Sequence, residues 1–316
     1  MLFRSVQIIH PEYGRRVALV NEDELHLLSA YRTAYHFAMA AIEMGTPLRD
    51  LLSTDLSGIV LDYNEVHALK SGWRFLPAFD HPTELSKCHV SGVGNGHTGT
   101  KAGRPVAPSW FYKGNGAHLR AHGEPLTIPP YAIGGAEEIE VAGVWVISPQ
   151  GRPVLVGLTP GNEFCDPATE AADPRMRSHG KLRTCSIGPE LVLDGDFRGL
   201  HGAVRIERTG KRLWNRDVTT GEQLTQFSLA ELEGFLFRYD AFRVLVEPML
   251  DTMHHGTTHS GKVPTRALEH KSLYDRLTKL ELDLTEAIKS ERYEDAARTR
   301  DEINRVKQAF AEKQTG

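Results

Sequence analysis

The sequence predicts an α+β fold: a small N-terminal α/β domain, a β-rich core and a C-terminal antiparallel helical hairpin. Three observations carry this. Two apolar strands and a helical run precede residue 75, and short apolar segments punctuated by Gly and Pro fill the middle of the chain. From about Arg266 to Lys313 the chain turns charged, glycine-poor and periodic at helical spacing. The expected units are 1–75, 76–243, a linker at 244–265 and the hairpin at 266–316.

Taken in order, Leu2 to Ile9 and Arg16 to Val20 read as strands joined by a turn at Tyr13-Gly14. Tyr31 to Met44 is rich in Ala and Met and reads as a helix stopped by Gly45 and Pro47. His89 to Gly116 is loaded with Gly, His, Lys and Ser and reads as one long loop of the kind that closes over ligands. Its Gly92-Val93-Gly94-Asn95-Gly96 run lacks the following Lys-Ser/Thr pair of a phosphate loop. Strands are expected at Glu138 to Ile147, Val154 to Leu158, Glu190 to Leu193, Gly202 to Ile206 and Arg212 to Trp214.

With 40% apolar and 25% charged residues, the composition is that of a globular protein. A formal charge of −4 gives no broad basic field, which argues against a general nucleic-acid binder. Three cysteines, Cys88, Cys165 and Cys185, are too scattered for a disulfide framework. No apolar run reaches the length of a membrane span, the opening residues lack a signal-peptide pattern, and the expected location is the cytoplasm.

Chemistry concentrates in three acids. Glu138 and Glu140 are two apart at the start of a strand, so both side chains face one side, with Glu137 on the other. Two such carboxylates repel unless a cation or a shared proton lies between them. Glu163 follows the next strand, across the hairpin turn Gly151-Arg152-Pro153, and can complete a set of oxygen ligands. On the Glu-x-Glu pattern alone, solvent-exposed acids at a strand edge are the better reading.

Its surroundings are more specific. The runs GGAEEIEVAGVWVI, GLTPGNEFCD and HGKLRTCSIGPEL, in that order and with those gaps, resemble the fumarylacetoacetate hydrolase superfamily, and within it the GguC branch of sugar-acid dehydratase-like proteins. Supporting blocks are Leu76 to Pro82, Trp110-Phe111-Tyr112-Lys113-Gly114 and Phe237 to Arg243. The resemblance implies a mixed β-roll core and a homodimer. It implies three metal ligands, Glu138, Glu140 and Glu163, the last being Glu where many relatives have Asp. It also places the family's active-site lysine at Lys181. The implied ion is Mg²⁺, with Mn²⁺ or Ca²⁺ as substitutes, and the implied substrate is a small 2-keto acid.

Such an ion, chelated by a 2-keto acid, makes the C3 proton removable, and the enolate can expel a C4 hydroxyl. Dehydration of a 2-keto-3-deoxy sugar acid is the favoured outcome, with hydrolysis of acylpyruvates or diketo acids as the alternative. Lys181 is expected to hold the substrate carboxylate or stabilise the enolate. His97 in the glycine-rich loop is the candidate base. Relatives carry an Arg-Asp pair after this histidine that Gly99 to Arg104 lacks.

In the tail, Leu273, Leu277, Leu280, Leu284 and Ile288 form one apolar seam. Tyr293, Ala296, Ala297, Ile303, Val306 and Phe310 form a second after the Ser290-Glu291-Arg292 break. The run TEAIKSERYEDAARTRDEINRVK resembles the UVR motif of UvrB, UvrC and McsA-type proteins, and residues 266–313 are the expected surface for a protein partner. Hydrolase-like relatives end instead on core strands with a Gly-Thr pair by the substrate. Gly256-Thr257 supplies such a pair, making Thr257 a candidate substrate contact, although the McsA-like segment explains it equally well. A catalytically inactive adaptor is the competing reading.

Overall fold

The structure is a computed structural model that describes residues 2–94, 103–238 and 292–314, with single residues between 276 and 290. It divides into two compact units, 1–245 and 246–316.

The first unit is built on a ten-stranded mixed sheet. Its strands are β1 (Phe3–His10), β2 (Gly14–Asn21), β3 (Glu24–Leu28), β4 (Leu56–Asp62), β5 (Arg74–Phe75), β8 (Leu119–Arg120), β9 (Ile139–Ile147), β10 (Pro153–Asn162), β11 (Cys185–Ile187) and β12 (Glu190–Leu193). Their order is β4-β3-β2-β1-β12-β10-β11-β8, with β5 added on β1 and β9 on β10. Two further pairs stand apart: β6 (His89–Gly94) with β7 (Ser109–Asn115), and β13 (Leu200–Arg208) with β14 (Lys211–Thr220). The helices of this unit are α1 (Ala34–Met44), α2 (Leu48–Thr54), α3 (Tyr63–His67), α4 (Pro167–Ala172), α5 (Arg177–Gly180) and α6 (Leu229–Arg238).

Helix α1 starts where Thr33 caps the His36 N–H and stops at Gly45, whose left-handed φ of 64° lets its N–H return to the helix carbonyls. Its buried face, Ala34, Phe37, Ala38 and Ala41, packs in a core with Val144, Val146, Val156, Leu191 and Leu193. The expected boundary near residue 75 does not interrupt the sheet. β1 pairs antiparallel with β12, Phe3 opposite Leu193, so the N-terminal strands are continuous with the strands that carry the acids.

Gln7, fully buried on β1, ties this junction together. Its Nε2 donates to the Pro77 carbonyl at 2.9 Å and to Asp80 Oδ1 at 3.0 Å, while its Oε1 accepts from the Ala34 N–H at 2.8 Å. Gln7→Leu keeps the volume and strands these partners. It is expected to lower the unfolding free energy by about 2 kcal/mol, measured as a lower midpoint in urea at unchanged slope.

The expected long loop at 89–116 is corrected by the structure. Its flanks pair as β6 and β7, with Gly92 opposite Phe111. A Cβ on residue 92 would lie 2.1 Å from Phe111 Cζ, so this glycine makes room for an aromatic side chain across the strands. His97 and Thr257 lie outside the described residues.

In the second unit, α7 (Tyr293–Gln314) forms the second arm expected from the sequence. The described residues of the preceding arm are helical, Ser290 is a turn, and Arg276 meets Glu302 at 2.6 Å, as an antiparallel hairpin requires. Ala287, Ile303 and Val306 are buried. Ala297, expected in the seam, is exposed, whereas Leu273, Leu277 and Ile288 lie outside the described residues.

Candidate active site

The β9–β10 hairpin delivers the acids. Its register sets Ile139 opposite Asn162 and Glu140 opposite Gly161. One step further, the Glu163 N–H donates to the Glu138 carbonyl at 2.8 Å, so Glu138 and Glu163 are cross-strand neighbours. Asn162 Oδ1 fixes the turn by accepting from the N–H groups of Glu138 at 3.2 Å and Phe164 at 3.1 Å. Phe164 has a left-handed φ of 33°, unusual for a bulky residue and typical of backbone held for a purpose. Asp166, fully buried, holds the next segment: it caps Thr169 in α4 and accepts from the Ile133 N–H.

Two ammonium groups enter this carboxylate pair. Lys181, directly after α5, donates to Glu138 Oε2 at 3.2 Å and to Glu163 Oε2 at 3.1 Å, bridging the two. Lys113 on β7 donates to the other Glu163 oxygen at 2.5 Å and to the Phe164 carbonyl at 2.6 Å. Only 1% of the Lys113 side chain is exposed, against 21% for Lys181. Lys181 Nζ also sits 5.2 Å from the ring centre of Phe111 on β7. The Cys165 thiol donates to Glu138 Oε1 at 3.0 Å.

The titration behaviour follows from this crowding. Glu163 is pushed up by burial first and by its hydrogen bond with Glu138 second, against the pull of Lys113 and Lys181. Glu138 is held low, first by that same hydrogen bond and then by Cys165 and Lys181, with burial opposing. The two carboxyls are thus pushed in opposite directions and titrate as a pair. For Lys181, burial pulls downward, but Glu163 and Glu138 together hold it above its ordinary value. Burial and Glu138 push the Cys165 thiol up to about 12, so it remains a thiol donor.

Of the sequence-derived site residues, the structure brings together Glu138, Glu163 and Lys181. Glu140 is exposed on β9, and among the described residues no three His, Cys, Asp or Glu side chains converge as a metal-holding group. The donor set nevertheless fits a hard cation. Two carboxylates meet and already attract an ammonium between them, and Glu140 lies two residues beyond Glu138, near the start of β9. Lys113 is the residue the sequence reading left without a role. Its signal was a lysine inside the apolar run Trp110-Phe111-Tyr112, a position that buries a charge.

The UVR family, described as the UvrB/uvrC motif, matches residues 275–309. No curated protein matches the chain. Among solved structures, a crystal form of 2-keto-3-deoxyarabinonate dehydratase matches with a TM-score of 0.56 at 16% identity, over 74% of this chain and 83% of that one. A 2-keto-3-deoxy-D-arabinonate dehydratase complexed with magnesium and 2,5-dioxopentanoate matches with a TM-score of 0.56 at 18% identity, over 74% and 82%. The apo form of that enzyme gives 0.56 at 17%, over 74% and 82%. The first unit therefore has the fold of these dehydratases, as the fumarylacetoacetate-hydrolase resemblance implied, and the C-terminal unit carries a UVR motif.

Proposed function

We propose that the chain is a divalent-metal-dependent enzyme of the fumarylacetoacetate hydrolase superfamily, a lyase that dehydrates a 2-keto-3-deoxy sugar acid. The observation that carries this reading is the convergence of Glu138, Glu163 and Lys181 at one end of the β9–β10 hairpin. The fold shared with a dehydratase that holds magnesium and a dioxo acid supports the same substrate class.

Glu138 and Glu163 would hold the ion, with Glu140 as the third ligand. When bound, Mg²⁺ would polarise a 2-keto acid and acidify the neighbouring C–H. Lys181 would then present its ammonium to the substrate carboxylate and orient it. Lys113 fixes Glu163 in place, with a second bond to the Phe164 carbonyl, and opposes the upward push of burial on its carboxyl. His97, the base expected from the sequence, lies outside the described residues.

The test is a screen of 2-keto-3-deoxy acids, with acylpyruvates and diketo acids alongside, with and without magnesium. Magnesium-dependent loss of water from a deoxy sugar acid is expected; hydrolysis of an acylpyruvate instead would reassign the reaction. Silence towards every acid would overturn the enzyme reading.

The UVR match favours a second role for the tail, capture of a protein partner through residues 266–313. Deleting 266–316 is expected to leave turnover within about twofold, since those residues belong to a separate compact unit. Steady-state kinetics of the shortened chain check this, and an adaptor without catalysis would show partner capture lost and no turnover in either form.

A further inference from the structure

Glu170 stands beside the carboxylate pair with no task in the reaction above. Its Oε1 is buried and has no hydrogen-bond partner among the described residues. A buried carboxylate oxygen left without a donor is costly, and it is retained where something else requires it. The nearest cation is Lys181, whose Nζ lies 3.7 Å away, just beyond hydrogen-bonding range. The approach is built in. A Cβ on residue 180 would lie 2.3 Å from Glu170 Cγ, so Gly180, immediately before Lys181, is what allows the Glu170 side chain to lie there.

The two lysines on Glu163 differ in freedom. Lys113 is buried and doubly bound, to a carboxylate and to a backbone carbonyl, and is fixed. Lys181 is partly exposed, makes the longer contacts, and has an unfilled acceptor within a small swing of its Nζ. A divalent cation between Glu138 and Glu163 would need the place this ammonium takes, and two cations so close repel.

We propose that Lys181 is an exchangeable counter-ion and that Glu170 is the positioning residue that receives it. The ammonium bridges Glu138 and Glu163 when no metal is held, and turns to Glu170 Oε1 when a divalent cation enters. Lys113 stays in place throughout. Entry of the ion thereby delivers Lys181 to a fixed perch beside the substrate. This rests on the metal-binding reading of the same carboxylates.

Calorimetric titration of the full-length chain with magnesium chloride at fixed pH tests the exchange without any substrate. Lys181→Met removes the competitor and is expected to tighten Mg²⁺ binding about tenfold, the size of an ordinary coupling between touching groups. Glu170→Gln is expected to weaken binding about tenfold in the parent chain and to change nothing in the Lys181→Met background. Lys181→Gln repeats the first result with a polar side chain, so that a packing fault caused by methionine is recognised. Unchanged or weaker binding in both Lys181 variants, or an equal Glu170→Gln effect in both backgrounds, overturns the exchange. If the parent chain binds Mg²⁺ and the lysine variants do not tighten it, only the exchange fails. If the parent chain binds no Mg²⁺, the metal-binding reading fails and the exchange with it.

Discussion

Lys113→Met is expected to lower the unfolding free energy by about 3 kcal/mol, the lower end of the cost of breaking a buried ion pair. The lysine is buried, and its ammonium is held by Glu163 Oε1 and the Phe164 carbonyl. Methionine keeps the length of the side chain and removes the charge, leaving Glu163 to lean on Lys181 alone. Chemical denaturation measures the loss. The cause is checked by the double variant Lys113→Met/Glu163→Gln, which should cost clearly less than the two single changes added together. Additive costs would mean that the two side chains do not depend on one another.

The largest effect on function is expected from Glu138→Gln and Glu163→Gln. Each keeps the shape of the side chain and removes one of the two charges that meet at the end of the hairpin. Turnover of the active keto acid should fall at least about a thousandfold in each, comparable to loss of a principal electrostatic element of a site. Excess magnesium should recover part of it. Glu140→Gln is informative beside them. Glu140 is exposed and outside the converging pair, so its effect should be the smallest of the three and most readily offset by magnesium. Equal losses in all three would show that Glu140 contributes as much to holding the ion as the converging pair.

Much of this was legible in the residues, for physical reasons. Helix α1 was readable because Thr33, an apolar Ala-rich run and Gly45 agree on where it begins and ends. Glu190 to Leu193 was readable because β12 is a short apolar run between breakers. Strand β10 was ended at Leu158 in the sequence reading. In the structure it continues to Asn162, and the Pro160 carbonyl accepts from the Gly188 N–H. Strand β14 was also underestimated. Most of it is exposed, so no apolar alternation marks its polar half. The β6–β7 pair was hidden for a different reason, since Gly92, which admits Phe111, and Gly94, which faces Ser109, look like loop residues in a linear reading.

The site shows the same division. Alternation along a strand put Glu138 and Glu140 on one side, and the hairpin turn brought Glu163 near. Which carboxylates actually meet depends on register, and the register joins Glu138 to Glu163. Lys113 and Glu170 are 50 or more residues apart and reach the site only through the pairing of separate elements, so no local pattern announces them together.

The most direct test of the central claim is a magnesium titration of the parent chain beside the Glu138→Gln/Glu163→Gln double variant, followed by calorimetry. The account predicts one saturable site per chain in the parent and none in the double variant, with both proteins giving the same far-ultraviolet circular dichroism. A parent chain without a magnesium site, or a double variant that binds with undiminished affinity, would contradict it.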